Sequence, residues 1–269
     1  MDVLVEFVNS LTTTERGSFL LVFLFAAIVC ERIFPFLKDP QPNQHLLINA
    51  AFLLGVGLVN TLVAMVAFAW LQVDEWQIGV LHWLDLPLWM QLLVTLVVLD
   101  FVAQYGAHWM LHNVKWLWRF HAVHHSDTHI DASTGTRLHP GDFLFREILV
   151  VLTIVVVGLP LVGYFLYRLV TPFFSYFTHA NIRLPLWIDR PLTYIVVTPN
   201  MHKVHHHVVR PWTNSNYGNI LSVWDRLFGT YAYADPNEVE YGLDVLDAKQ
   251  DRDLLYLFKL PFSNFKTDY

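Results

Sequence analysis

Between Asp100 and Pro140 the chain carries His108, His112, His121, His124, His125, His129 and His139. His108 and His112 are spaced i, i+4, which on a helix sets both imidazoles on one face, a turn apart. His121, His124 and His125 are spaced i, i+3, i+4 and do the same on the next helical stretch. The spacing recurs far downstream in His202, His205 and His206. Imidazole is the commonest neutral side-chain ligand for Fe, Zn, Cu and Ni. Three imidazole-bearing helix faces can therefore converge on a metal site. The interleaved Trp116, Trp118 and Phe120 indicate packed segments rather than a loose surface tract that traps metal.

Eight histidines in three sets suit two ions better than one, since a single structural site takes about four ligands. His179 is a natural ninth ligand, and His139, before Pro140, is a tenth or a group behind the ligands. An all-nitrogen donor set suits Fe, Cu or Zn, and spacing alone does not choose among them. Stepping back by fours from His112 gives His108, Gln104 and Asp100, a polar stripe on an apolar helix. An ionisable group in such a segment is by default functional, so Asp100 is expected to orient a ligand imidazole. Asn216 and Asp225 are expected to offer oxygen partners to imidazole N–H groups. His45 and His82 read as core residues, and His129 and His207 carry no assignment.

The elements that hold these residues are set by composition. Apolar residues make up 55% and charged residues 15% of 269, and the mean hydropathy is +0.40. A soluble domain carries about 25% charged residues, so the chain reads as a membrane protein. The net charge is −6 and the basic residues are scattered, which argues against a nucleic-acid partner. The one cysteine, Cys30, excludes an intramolecular disulfide and cysteine-based metal sites; it reads as a buried thiol. The amino-terminal stretch lacks the features of a cleaved signal peptide.

Apolar segments are expected at 18–36, 46–71 and 86–107, each about long enough to cross a bilayer. Glu31 and Arg32 are expected to reach the interface, and Thr12–Glu15 reads as a helix start. Residues 72–85 hold Asp74, Glu75 and Asp85. The fold expected is an all-α integral membrane helical bundle with a cytoplasmic, histidine-rich helical cap holding a dimetal centre. Its parts are membrane helices over 1–107, the first two histidine motifs over 108–146, a re-entrant or short helical hairpin over 147–177 and a cap over 178–269. Gly158, Leu159 and Pro160 break 147–177 into two short arms, which returns the chain to the side it left. Lys and Arg in the histidine regions place them in the cytoplasm. Thr198 as N-cap, Pro199 as first helical residue and Pro211 as stop predict about three turns of helix for the third set. Packing in the core is preferred for Trp224 and Phe228. The apolar Leu254–Phe258 run lies on the membrane or caps the site.

Taken together these motifs resemble the fatty acid hydroxylase and sterol desaturase superfamily of integral-membrane, histidine-rich di-iron oxygenases. The resemblance covers residues 95–235. It rests on Asp100–Tyr105 leading into His108 and His112, and on Leu117-Trp-Arg-Phe-His121-Ala-Val-His124-His125. Arg137-Leu-His139-Pro, Thr198-Pro-Asn-Met-His202-Lys-Val-His205-His206, and Asn216-Tyr-Gly through Trp224-Asp-Arg-Leu-Phe-Gly-Thr complete it. One departure is Trp109, where such proteins commonly have Arg. The resemblance implies hydroxylation or desaturation of an unactivated lipid C–H bond at two iron ions, with O2 as oxidant. Sterols, fatty acyl chains, ether lipids and carotenoids all remain open as substrates. The chain has no Rossmann, flavin or haem motif: Gly55-Val-Gly57 lacks the third glycine. Electrons are expected from a partner such as a ferredoxin or a b-type cytochrome, and the host membrane is a bacterial inner membrane or the endoplasmic reticulum.

Two other classes compete. A metal-ion transporter would spread ligands through several spans at mid-depth, whereas these lie beyond the span ends. A non-catalytic metal-binding membrane protein shares every motif and differs only in turnover. An intramembrane metalloprotease needs His-Glu-x-x-His, and Trp109 stands where the Glu belongs.

Overall fold

The computed structural model describes residues 2–38, 43–70, 78–246 and 250–263. Asp74 and Glu75 of the sequence analysis lie outside these residues. Among the described residues there is no strand, and two isolated bridges join Val196 to Leu221 and His207 to Tyr241. The architecture is that of a helical membrane protein.

Helix α1 spans Asp2–Ser10 and α2 spans Thr13–Ile33. Thr12 caps α2 in a reciprocal box with Glu15, which satisfies two end N–H groups. Helix α3 is Asn43–Trp70. A further long helix begins as α4, Leu88–Leu99, passes through a π-helical segment, Asp100–Gly106, and ends as α5, Ala107–Asn113. Gln44–Val66 and Leu88–Asn113 are long and apolar enough to cross a membrane. Helix α6, Lys115–His125, follows after a break at Val114.

Helices α7, Pro140–Val157, and α8, Leu161–His179, are joined by the short turn Gly158–Pro160. Gly158 ends α7 in the left-handed region at φ 75°, a conformation open to glycine at little cost. The arms are 18 and 19 residues long, longer than expected because α7 starts at Pro140, whose N-cap is His139. Helix α8 is the central post: α2, α4 and the turn Ala132–Thr136 all lie against it. Beyond it come α9, Leu186–Leu192; α10, Pro199–His205; α11, Val223–Leu227; and α12, Leu254–Lys259.

Several expectations need correction. Helix α10 has 7 residues, about two turns rather than three. Thr198 caps it as expected, but Val208 N–H donates to the Glu240 carbonyl and His207 bridges Tyr241, so the chain leaves the helix well before Pro211. Glu31 is not at an interface: it is buried, and its carboxylate accepts from Ala132 N–H and Asn181 N–H. Cys30, His82 and Trp116 are exposed. His45 is buried as expected, with Nε2 2.9 Å from both Asp127 oxygens. The run around Leu257 covers the outside of α3 and α6, in one cluster with Phe52 and Trp118; Phe258 stacks on Phe52 at 4.7 Å. Phe228 is 53% exposed and stacks on Phe101 and Tyr105 along the long helix.

Candidate metal centre

Nine buried imidazoles converge in two groups. His108, His112, His121, His125 and His205 form one, and His124, His179, His202 and His206 the other. Within each group one nitrogen per residue lies within 4.8 Å of the rest. Helix α6 feeds both, since His121 and His125 point to the first and His124 to the second. Helix α10 does the same with His205 against His202 and His206. The i, i+3, i+4 spacing thus serves two adjacent centres rather than one face and one ion.

Hydrogen bonds fix which nitrogen faces inward. A carbonyl only accepts, so an imidazole nitrogen beside one carries the proton. His108 Nδ1–H donates to the Tyr217 carbonyl at 2.8 Å, His205 Nδ1–H to that of Ser215 at 2.6 Å and His179 Nδ1–H to that of Ser175 at 2.7 Å. His121 Nδ1–H donates to Asp142 at 2.6 Å. Each leaves an Nε2 lone pair turned inward, the arrangement that second partners impose on metal-binding histidines.

The inward nitrogens are too close for neutral imidazoles alone. His108 Nε2 and His121 Nε2 are 2.9 Å apart, and neither has a proton left to share. His179 Nε2 lies 3.1, 3.0 and 3.1 Å from those of His124, His202 and His206. His112 Nε2 is buried without a partner. A separation of about 3 Å is what two ligands at right angles show at metal–nitrogen bonds of about 2.1 Å. The donor set therefore fits a cation in each group. Burial, reinforced by neighbouring imidazoles, holds His124, His125, His202 and His206 well below the usual histidine range, so they are neutral and ready to ligate.

Four residues expected near the ligands do something else. Asp100 touches no imidazole. Its carboxylate accepts from Ile220 N–H, Leu221 N–H and Trp224 Nε1–H at 3.2, 3.1 and 2.9 Å. Each such charged bond is worth about 1.5–3 kcal/mol, so three offset the cost of about 2.5–3.5 kcal/mol for an acidic side chain in a span. The π-helical segment is why the stripe by fours fails: more residues per turn make a four-residue step fall short of a full turn. Gln104 accordingly donates to the Tyr167 hydroxyl. Asn216, at φ 54°, bonds Met201 O and both backbone groups of Ala232. Asp225 accepts from Tyr217 N–H, Gly218 N–H and the Thr230 hydroxyl. Asp100, Asn216 and Asp225 thus shape the loop whose Ser215 and Tyr217 carbonyls orient His205 and His108. His139 is neither ligand nor ligand partner: Nδ1 accepts from Gly141 N–H to cap α7, and Nε2–H donates to Phe258 O. His129 and His207 lie outside both groups, and Trp109 is exposed.

Sequence reasoning assigned no role to Asp142, Lys203 or Arg137. Buried Lys203 donates to the carbonyls of Ala180 and Ile182 at 2.8 and 2.9 Å, tying α10 to the exit of α8. Burial draws its ammonium down to about 7, against the pull of Glu31 and Asp189. Arg137 bonds Val123 O, Ser126 and Asp251 O, which anchors the end of α6. A His-Pro-Gly-Asp run opening a helix was the available signal for Asp142.

A cavity of about 170 Å³ ends on His108, His121, His124, His179 and His202. Its lining also includes Leu20 of α2, Leu53 and Val56 of α3, and Phe143 and Val150 of α7. Gln104, Arg146, Glu147, Arg168 and Asn219 add polar groups.

The sequence model of the fatty acid hydroxylase family matches residues 92–230, just over half of the chain, and the match contains all nine converging histidines. The chain belongs to the fatty acid hydroxylase family. Among similar members, an ornithine lipid hydroxylase of Rhizobium tropici is 36% identical over 145 residues, 54% of this chain and 43% of that protein. Human alkylglycerol monooxygenase is 32% identical over 148 residues, 52% of this chain and 30% of its own. A very-long-chain aldehyde decarbonylase of Oryza sativa subsp. indica is 25% identical over 165 residues, 58% and 26% of the two chains. The matched stretch therefore spans less than half of each of these fatty acid hydroxylase relatives. No solved structure matches the chain.

Proposed function

We propose that this protein is a membrane-bound oxygenase that hydroxylates or desaturates an unactivated C–H bond of a lipid, with one iron ion in each histidine group. The observation that carries this reading is the joining of two all-imidazole groups to a cavity walled by membrane-type helices. The names of the relatives, a lipid hydroxylase and an alkylglycerol monooxygenase, support the substrate class.

His108, His112, His121, His125 and His205 would hold one ion, and His124, His179, His202 and His206 the other. Bound iron supplies the means to reduce O2 and remove a hydrogen atom from carbon. Hydroxylation balances as R–H + O2 + 2 e⁻ + 2 H⁺ giving R–OH + H2O, so an external donor such as a ferredoxin or b-type cytochrome is required. The chain's own part is to hold the imidazoles neutral with Nε2 inward. It also excludes water from the site and brings one carbon of the lipid to the inner end of the cavity. The basic residues Lys115, Arg119, Arg183 and Arg190 favour placing the histidine end at the cytoplasmic face of a multi-pass protein.

Two iron ions per chain and O2-dependent oxidation of a lipid by reductant-fed purified protein are expected. His205→Ala and His124→Ala strike different groups, so each is expected to lower the iron from about two to about one per chain and to abolish turnover. Metal movement across vesicles without lipid oxidation would overturn the proposal in favour of transport.

A further inference from the structure

Two guanidinium groups line the cavity, and they differ in how far they are occupied. Arg168 of α8 is ion-paired with Glu147 and donates to Asn60 at 2.7 Å. It lies 11 residues before His179, about 16 Å along the helix, and ties α3, α7 and α8 together. Arg146 of α7 stands beside the metal ligands. Its Nε–H donates to Asp142 Oδ1 at 2.8 Å, and the other oxygen of Asp142 accepts from His121. Nη1 reaches only the Ala103 carbonyl, at 3.5 Å, and Nη2 has no hydrogen-bond partner among the described residues. The side chain is 12% exposed and is part of the cavity lining.

A guanidinium offers five N–H donors in a flat fork that matches a carboxylate or phosphate in two-point contact. Leaving part of that fork open inside an apolar bundle is costly unless an anion meets it. The carboxylate nearest to it, Asp142, is shared with His121. We propose that Arg146 is a specificity residue, binding an oxyanion of the lipid headgroup, carboxylate or phosphate, through its free amino edge. The substrate class is then a lipid with an acidic or zwitterionic headgroup rather than a neutral sterol or hydrocarbon. The inference rests on the oxygenase reading for its use but not for its test.

The test is equilibrium binding to the purified full-length protein in nanodiscs, under argon and without reductant, so that no turnover is needed. Oleate and phosphatidylglycerol are compared with oleyl alcohol and diacylglycerol of the same chains. Wild type is expected to prefer the oxyanion lipids by about tenfold or more, as a charged two-point contact allows, and Arg146→Gln to lose that preference, with iron content measured on the same sample because Arg146 also holds Asp142. A second measurement needs no variant. Phenylglyoxal is expected to label Arg146 in lipid-free protein, with oleate protecting and oleyl alcohol not. Equal binding of the two lipid classes by wild type, a preference that survives in Arg146→Gln, or failure of both oleate and phosphatidylglycerol to protect overturns the assignment. Protection by both oleate and phosphatidylglycerol identifies a general oxyanion site; protection by one alone names its source. An active enzyme without the preference sinks this inference alone, and an Arg146-dependent preference in a protein that oxidises nothing sinks the oxygenase reading alone.

Discussion

His121 is the one converging imidazole whose outer nitrogen meets a carboxylate among the described residues; His108, His179 and His205 meet carbonyls. Burial pushes the Asp142 carboxyl up, but the Arg146 guanidinium and the His121 imidazole outweigh it and hold it down to about 2. Asp142 is therefore a full anion at any pH at which the site works. An anionic acceptor makes the imidazole a stronger donor to a metal than a carbonyl does. Asp142→Asn keeps an oxygen in place and removes the charge. Iron affinity of the five-histidine group is expected to fall by about 10- to 100-fold, read by chelator competition, with the four-histidine group retained. Unchanged affinity would show that geometry, not charge, is what Asp142 supplies.

At the scale of elements, the second group depends on a close approach between α8 and the turn Ala132–Thr136. A Cβ on Gly135 would come 2.8 Å from Ser175 Oγ and 3.1 Å from the Ser175 carbonyl. That carbonyl accepts the His179 proton at 2.7 Å, so crowding it moves a ligand. Gly135→Ala is expected to empty the four-histidine group while the five-histidine group stays loaded, measured as about one iron per folded chain; full iron content would show that α8 can shift without cost. This coupling marks the limit of what the residues alone disclose. The i, i+3, i+4 periodicity of His121, His124 and His125 is a property of side chains on a helix and was legible. The partners that orient His108, His179 and His205 are backbone carbonyls, which every residue has and no sequence marks. Asp100 was legible as a buried polar group but not its partners, which lie about 120 positions later. The π-helical segment has no residue signature that would have set Gln104 and Asp100 apart from the histidine face.

For the molecule as a whole, the converging imidazoles are buried, and the cavity that reaches them is lined as well by helices of membrane character. Loop 214–225 supplies the carbonyls that orient His108 and His205, and the converging imidazoles are all under 7% exposed. Leu20, Leu53 and Val56 face the cavity from α2 and α3, and Leu53 and Val56 belong to a span candidate, Gln44–Val66. On the proposed function, a lipid already in the bilayer would enter sideways between helices, leaving most of its apolar surface out of water throughout, whereas entry through the cap would expose the chain at about 25 cal/mol per Å². Val56→Trp adds bulk to that wall about seven residues, or about 10 Å, inward of the α3 residue Asn49, whose amide bonds Ser133 beneath the cap. Turnover of a bilayer lipid is expected to drop tenfold or more (about 1.4 kcal/mol on the barrier) with two irons still bound, whereas a change of charge on the cap, Trp187→Arg at a residue 77% exposed, leaves it unaltered. The comparison is made in nanodiscs with iron content and product formation measured on the same sample. Normal turnover in Val56→Trp, or loss of turnover only in the cap variant, would place the entrance on the aqueous side.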